Sequence, residues 1–190
     1  MLRLSYSICQ NKSCKSLQFS ETTGAYNSLS NTGGFGSPNV DTTDATSALL
    51  KVLIPGATTT VDIDLFPDFP TVDNEFEREI TSADLGLTAD SKLEDGVYEI
   101  TYEVIADGVT YTELNNIFLY CNVQCCINQM IAKIPSKHCS CSDSSVSDAL
   151  TAYMLMKSLE HAAVCGKKTK FANTLKVLNN ICKNTNCSTC

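Results

Sequence analysis

The stretch DGVYEITYEV at residues 95–104 decides the fold class of the front of this chain. Apolar and polar side chains alternate along it with a period of two, which is typical of a half-buried β-strand. The pair Asp107-Gly108 follows this stretch, and both residue types tolerate the positive φ angles of a type I′ turn. The sequence therefore predicts a hairpin from this strand into residues 109–112.

The rest of the first 120 residues contains short runs with the same alternation, separated by turn residues. These runs lie at residues 3–9, 15–20, 48–54, 60–66, 75–80 and 117–121. Seven or eight short strands with no helical pattern between them are typical of an antiparallel sandwich. We therefore expect residues 1–120 to form an immunoglobulin-like β-sandwich domain.

A long polar segment, ETTGAYNSLSNTGGFGSPNVDTTDA, interrupts this domain at residues 21–45. Loops of this length are uncommon inside compact domains and are usually functional or bound to a partner. Its aromatic residues Tyr26 and Phe35 have no strand or helix pattern around them. Either they pack back onto the domain or they insert into a neighbouring molecule.

The hydrophobic period changes to helical spacing at about Cys121. The pattern predicts one helix from there to the residue before Pro135, an amphipathic helix over residues 146–165, and a third helix around residues 171–181. Gly166 is expected to end the second helix. Residues 121–190 should therefore form a small Cys-rich three-helix domain, and the chain as a whole belongs to the α+β class.

The charge of the chain is divided unevenly between these two predicted domains. Residues 1–120 contain six Lys or Arg and 18 Asp or Glu, a formal charge of −12, whereas residues 121–190 contain eight Lys and three acidic residues, a formal charge of +5. The net charge of −7 argues against nucleic acid as the main partner. The division fits either two solvated surfaces or head-to-tail contact between copies of the chain.

Nine of the 11 cysteines follow residue 120, and three chemical states are open for them. Structural zinc needs four ligands, usually as two close pairs. The candidate zinc ligands are Cys139, Cys141, Cys187 and Cys190. Disulfides formed by later oxidation would instead crosslink and stabilise the small helical domain. In the third state most thiols are free and act as small buried hydrophobes. The cysteines that best fit this third state are Cys121, Cys125, Cys126 and Cys165.

The N-terminal sequence MLRLSYSICQNKSCKS shows neither the apolar run nor the cleavage site of a secretory leader, and the chain contains no run of eighteen apolar residues. We therefore expect a protein that is made in a reducing cytosol and has no membrane partner.

The sequence contains no pattern associated with catalysis. The motifs GxSxG, HExxH, GxGxxG and the P-loop do not occur. His138, beside Cys139, is either a metal ligand or a solvated loop residue, and His161 is expected at the surface near a helix end. The only CxxC pair, Cys187 with Cys190, is at the end of the chain. We therefore expect no enzyme activity, no catalytic residue and no cofactor.

Three stretches of this chain together resemble a known group of proteins. They are ETTGAYNSLSNTGGFGSPN at residues 21–39, DGVYEITYEV at residues 95–104, and LYCNVQCCINQMIAKI at residues 119–134, which is followed by spaced cysteines. On these stretches the chain resembles virion structural proteins of crAss-like phages, in particular the ring proteins that stack below the portal in the neck and tail barrel.

The resemblance implies a non-enzymatic structural protein that is made in the cytoplasm of the bacterial host and assembled into the virion. Its partners would be further copies of the chain, in a ring of six or twelve subunits, and other neck and tail proteins. The 21–45 loop would then reach the next subunit or the next ring. Two other classes stay open: an immunoglobulin-like adhesion module that binds a glycan or a host protein, and a zinc-stabilised regulatory or redox protein.

Overall fold

A computed structural model describes residues 6–10, 14–23, 42–69, 74–132 and 144–184 of the 190-residue chain. Within these residues it has seven β-strands and three α-helices. The strands are β1 (Tyr6–Gln10), β2 (Ser16–Thr23), β3 (Ala45–Leu53), β4 (Val61–Asp64), β5 (Asn74–Thr81), β6 (Gly96–Ala106) and β7 (Val109–Leu119). The helices are α1 (Cys121–Ala132), α2 (Ser144–Val164) and α3 (Lys168–Asn184).

The strands form two antiparallel sheets. One has three strands in the order β1-β2-β5, and the other has four strands in the order β4-β3-β6-β7. In the larger sheet, β3 pairs with β6 from Ala45, opposite Ala106, to Leu53, opposite Glu99. Together with the three helices, these sheets confirm the α+β class.

The two sheets bury apolar side chains against each other. The ring of Phe19 on β2 meets the ring of Tyr102 on β6 edge to face, with centroids 5.3 Å apart. Both side chains are fully buried. The alternation predicted for residues 97–104 is confirmed, because the buried residues of β6 include Tyr98, Ile100, Tyr102 and Val104. The alternation in the run at 60–66 predicts that Val61, Ile63 and Leu65 face inward and that Asp62 and Asp64 face outward. Ile63 and Leu65 are buried, Val61 is only half-buried, and Asp62 and Asp64 are exposed.

The predicted turn at Asp107-Gly108 is also confirmed. Its two residues have φ angles of 51° and 72°, the positive values that a type I′ turn requires. The strands beyond it were predicted separately at residues 109–112 and 117–121, and this prediction is wrong. A single strand, β7, runs from Val109 to Leu119, because pairing with β6 outweighs the low β-propensity of the polar residues between the two runs.

Only the ends of the long polar segment at 21–45 lie in the described part of the chain. Residues 21–23 continue β2, and Ala45 begins β3. Tyr26 and Phe35 lie outside the described residues.

The chain divides into two compact units. One contains residues 1–93 and 98–117, and the other contains residues 94–97 and 118–190. We call them the β unit and the helical unit. The predicted boundary between residues 120 and 121 is three residues beyond the end of the β unit, and the four residues 94–97 lie with the helices rather than with the strands.

The core of the helical unit is centred on Phe171, which is fully buried. Its ring meets Phe118 edge to face at 5.0 Å between centroids and Tyr120 at 6.2 Å. A short connection joins α2 to α3 at Gly166, whose φ angle is 63°. There Lys167 N–H donates to the carbonyl of Ala162 at 2.8 Å, as in a Schellman motif, so the predicted stop at Gly166 is confirmed.

Candidate interaction surfaces

Several of the cysteines are in disulfides. Cys126 on α1 is bonded to Cys182 on α3, with Cα atoms 6.1 Å apart, a normal separation for this bond. Cys14, Cys121 and Cys125 are also disulfide-bonded. The expectation of free, buried thiols at Cys121, Cys125 and Cys126 is therefore wrong. Of these three residues only Cys126 is buried, and the local pattern contains no information on which helix supplies its partner.

Cys165 has a free thiol, but it is exposed rather than buried. It lies at the end of α2, where its Sγ is 3.6 Å from Nδ1 of His161. His161 is exposed near the helix end, as predicted.

The predicted zinc ligands lie outside the described residues. They are Cys139, Cys141, Cys187 and Cys190, and His138 lies outside the described residues as well. Among the residues that the structure does describe, no group of three or more His, Cys, Asp and Glu side chains could hold a metal ion.

Asp95 caps the N-terminus of α1 from a distant part of the sequence. Its carboxylate accepts the backbone N–H of Asn122 at 3.0 Å and that of Val123 at 2.8 Å, and it also accepts a backbone hydrogen bond from Cys121. Burial raises the pKa of Asp95, although these hydrogen bonds act in the opposite direction. Local sequence does not indicate this contact, since Asp95 and the first residue of α1 are 26 residues apart in the chain.

Helix α2 has apolar side chains on two opposite sides. Its buried side consists of Ala149, Ala152, Met156, Leu159 and Ala162. On the other side, Leu150 and Met154 are 58% and 69% exposed, and Tyr153 is exposed beside them. We call Leu150, Tyr153 and Met154 the α2 apolar face. The predicted helix and its buried side are confirmed, but its outer side is not polar throughout, as an amphipathic helix would require.

A shallow groove of about 420 Å³ lies along the α2 apolar face. Next to it, the ammonium group of Lys157 lies 5.4 Å from the centroid of the Tyr153 ring and 2.8 Å from the carboxylate of Glu160. The hydrogen bond to Glu160 raises the pKa of Lys157. Exposed apolar surface with a polar edge is typical of an interaction site.

The outer side of the larger sheet is acidic. Its charged residues are Asp62 and Asp64 on β4, Lys51 on β3, and Glu99 and Glu103 on β6; we call this set the acidic sheet face. The strand register places Lys51 opposite Asp62, and Leu49 between Asp64 and Glu103. The formal charge of the set is −3.

Lys51 neutralises only part of this surface. Its Nζ donates to Oε2 of Glu103 at 2.9 Å, and this hydrogen bond raises the pKa of Lys51. Asp62 and Asp64 remain exposed, and their carboxylates accept hydrogen bonds from Thr60 and from the backbone N–H of Phe66. A cation from another molecule can therefore reach both carboxylates.

Helix α3 has the opposite charge. Its sequence KTKFANTLKVLNNICKN contains four lysines and no acidic residue. Phe171, Leu175 and Leu178 form its buried side. Lys176 and Lys183 are exposed and seven residues apart, nearly two helical turns, so they lie on the same side of the helix. We call these two residues the α3 lysine face.

Comparisons of the chain with protein-family models, with curated proteins and with solved structures found no match. In the described residues, the helices are too short or too polar to cross a membrane.

Proposed function

We propose that this protein is a non-enzymatic structural subunit of a phage virion and forms a closed ring in the neck or tail through head-to-tail contacts between copies. The observation that carries the proposal is the division of charge between the two units. The β unit has six Lys or Arg and 16 Asp or Glu, a formal charge of −10, whereas the helical unit has eight Lys and five acidic residues, a formal charge of +3.

Complementary charges on different units favour a heterologous contact, in which one part of a subunit meets a different part of the next. Such contacts form a ring when the rotation between neighbours closes. The charges also disfavour an isologous contact between two β units, since two acidic surfaces repel each other. A ring of six or twelve subunits, built into the virion after synthesis in the host cytoplasm, fits this kind of contact.

The proposal includes an immunoglobulin-like arrangement of the two sheets. Lettered in chain order as in an immunoglobulin-like sandwich, the seven strands are A, B, C, C′, E, F and G. The smaller sheet then has the order A-B-E, and the larger sheet has the order C′-C-F-G. The edge-to-face contact between Phe19 and Tyr102 supports face-to-face packing of the same two sheets. An experimental structure with another strand order would contradict this part of the proposal.

The experiment that tests the ring is native mass spectrometry of the purified full chain over a range of protein concentrations. We expect a closed oligomer of six or twelve subunits. A protein that stays monomeric at every concentration would contradict self-assembly into a ring. An open series of increasing masses would contradict closure.

A further inference from the structure

We propose that the α3 lysine face of one copy docks on the acidic sheet face of the next copy. This inference rests on the proposed ring and identifies the two surfaces that would form its repeated contact. The occupant of the acidic sheet face is therefore a second copy of this chain, presented through α3.

The sign and distribution of charge favour this pairing. The acidic sheet face has four carboxylates and one lysine. On α3, each charged side chain is a lysine, and Lys176 and Lys183 form no ion pair with any described residue of their own chain. Contact between the two surfaces would give both lysines carboxylate partners. Contact between two copies of either surface would place like charges together.

The spacing of the charges also fits. Strands β4 and β6 are separated by β3, so their carboxylates form two columns about 10 Å apart, twice the spacing between neighbouring strands. Lys176 and Lys183 are seven residues apart, which corresponds to about 10.5 Å along a helix. A helix that lies across the strands would therefore place one lysine over each column: one near Asp62 and Asp64, the other near Glu99 and Glu103.

The apolar residues on the sheet surface are compatible with this contact. Leu49 lies between Asp64 and Glu103, and it is partly exposed. The methylene groups of a lysine side chain can cover such a residue while the ammonium group reaches the carboxylates on either side.

Zero-length carbodiimide crosslinking of the full chain tests the contact directly, because the reagent joins amines to carboxylates that are already paired. Equal amounts of ¹⁴N- and ¹⁵N-labelled protein would be mixed and crosslinked, so that mass spectrometry separates links between copies from links within one copy. We expect mixed-isotope peptides that join Lys176 or Lys183 to Asp62, Asp64, Glu99 or Glu103. A crosslinked oligomer without these peptides would overturn the inference.

Charge reversal provides a second test. We expect Lys176→Glu/Lys183→Glu to weaken the contact about 100-fold or more, since each reversal places like charges together. The matched control is Lys167→Glu/Lys170→Glu, which changes the net charge equally but lies outside the α3 lysine face. The control should assemble like the wild type, and equal loss in both variants would overturn the inference.

The reciprocal variant Asp62→Lys/Glu99→Lys places one lysine in each carboxylate column. We expect it to stay monomeric, and we expect the chain with all four reversals to regain the oligomer. An equimolar mixture of the two double variants should also form the oligomer, with the variants alternating, because the wild-type pair of surfaces and the doubly reversed pair are both complementary between them. Melting temperatures close to that of the wild type would show that the variants are folded.

The outcomes separate the inference from the proposed function. Closed wild-type rings that are unchanged by Lys176→Glu/Lys183→Glu would overturn the pairing of these surfaces and leave the ring intact. A wild type that forms no oligomer would overturn both.

Discussion

At the scale of single residues, Asp95 has the largest role that local sequence did not indicate. The first N–H groups of a helix have no partner within the helix, and side chains near its start usually satisfy them. Here the carboxylate comes from a residue that precedes the β6–β7 hairpin and satisfies the first N–H groups of α1 from there. The contact therefore joins the segment 94–97 to α1 within the helical unit.

We expect Asp95→Ala to lower the free energy of unfolding by about 1–2 kcal/mol, because the helix loses its cap. Asp95→Asn retains one carbonyl oxygen as acceptor and should lose less. Urea unfolding at pH 7, followed by circular dichroism at 222 nm, measures both variants. Equal stability of wild type and Asp95→Ala would show that the cap contributes nothing.

The same residue predicts a pH dependence. The pKa of Asp95 is raised in the folded protein above its ordinary value of 3.8, with burial as the main cause. The folded state therefore binds this proton more readily than the unfolded state, so the stabilisation is present below the unfolded pKa and is lost as pH rises through the folded pKa. The wild type should gain stability relative to Asp95→Asn as pH falls from 7 to about 4, which urea unfolding at each pH would measure. A difference that is independent of pH, or that changes in the opposite direction, would contradict the raised pKa.

At the scale of secondary-structure elements, the bond between Cys126 and Cys182 fixes α1 to α3. The two residues are 56 positions apart. Closing a loop of this size restricts the unfolded chain and stabilises the folded state by at most about 4 kcal/mol, and less if other disulfides already restrict the unfolded chain. Helices of this length depend on tertiary packing for most of their stability.

We expect Cys126→Ala/Cys182→Ala to lower the free energy of unfolding by about 2–4 kcal/mol, because the unfolded chain is no longer restricted. Denaturant unfolding under non-reducing conditions measures the loss. Cys165→Ala is the matched control: Cys165 is free and exposed, so its replacement should change stability by less than about 0.5 kcal/mol. A double variant as stable as this control would show that the bond is not formed or does not restrain the unfolded chain.

At the scale of the whole molecule, the salt dependence of the oligomer distinguishes a charged contact between copies from an apolar one. The screening length falls from about 10 Å at 0.1 M salt to about 3 Å at 1 M, so contacts between exposed charges weaken. Apolar contacts respond differently, and sulfate strengthens them. The acidic sheet face with the α3 lysine face represents the first kind of contact, and the α2 apolar face represents the second.

We expect the oligomer to dissociate between about 0.1 M and 1 M sodium chloride, because the proposed contact joins exposed charges. Sedimentation velocity measures the change in mass. Sodium sulfate at equal ionic strength is the comparison. An oligomer that persists in chloride and tightens in sulfate would contradict the electrostatic contact and favour the α2 apolar face.

The sequence by itself determined the elements whose signals are local. The alternation in residues 97–104, the turn at Asp107-Gly108 and the helix stop at Gly166 were all predicted, since each depends on neighbouring residues and on the φ angles that they tolerate. The charge difference between front and rear was also visible, because it is a property of composition.

Tertiary structure alone decided what depends on residues distant in sequence. No local pattern indicated Cys182 as the partner of Cys126, and no local signal joins Asp95 to α1. The order of strands likewise brings Asp62, Lys51 and Glu103 to one side of a sheet, although they belong to three separate strands. The physical reason is the same in each case: packing of the buried faces selects long-range neighbours, whereas local pattern fixes only which side of an element is buried.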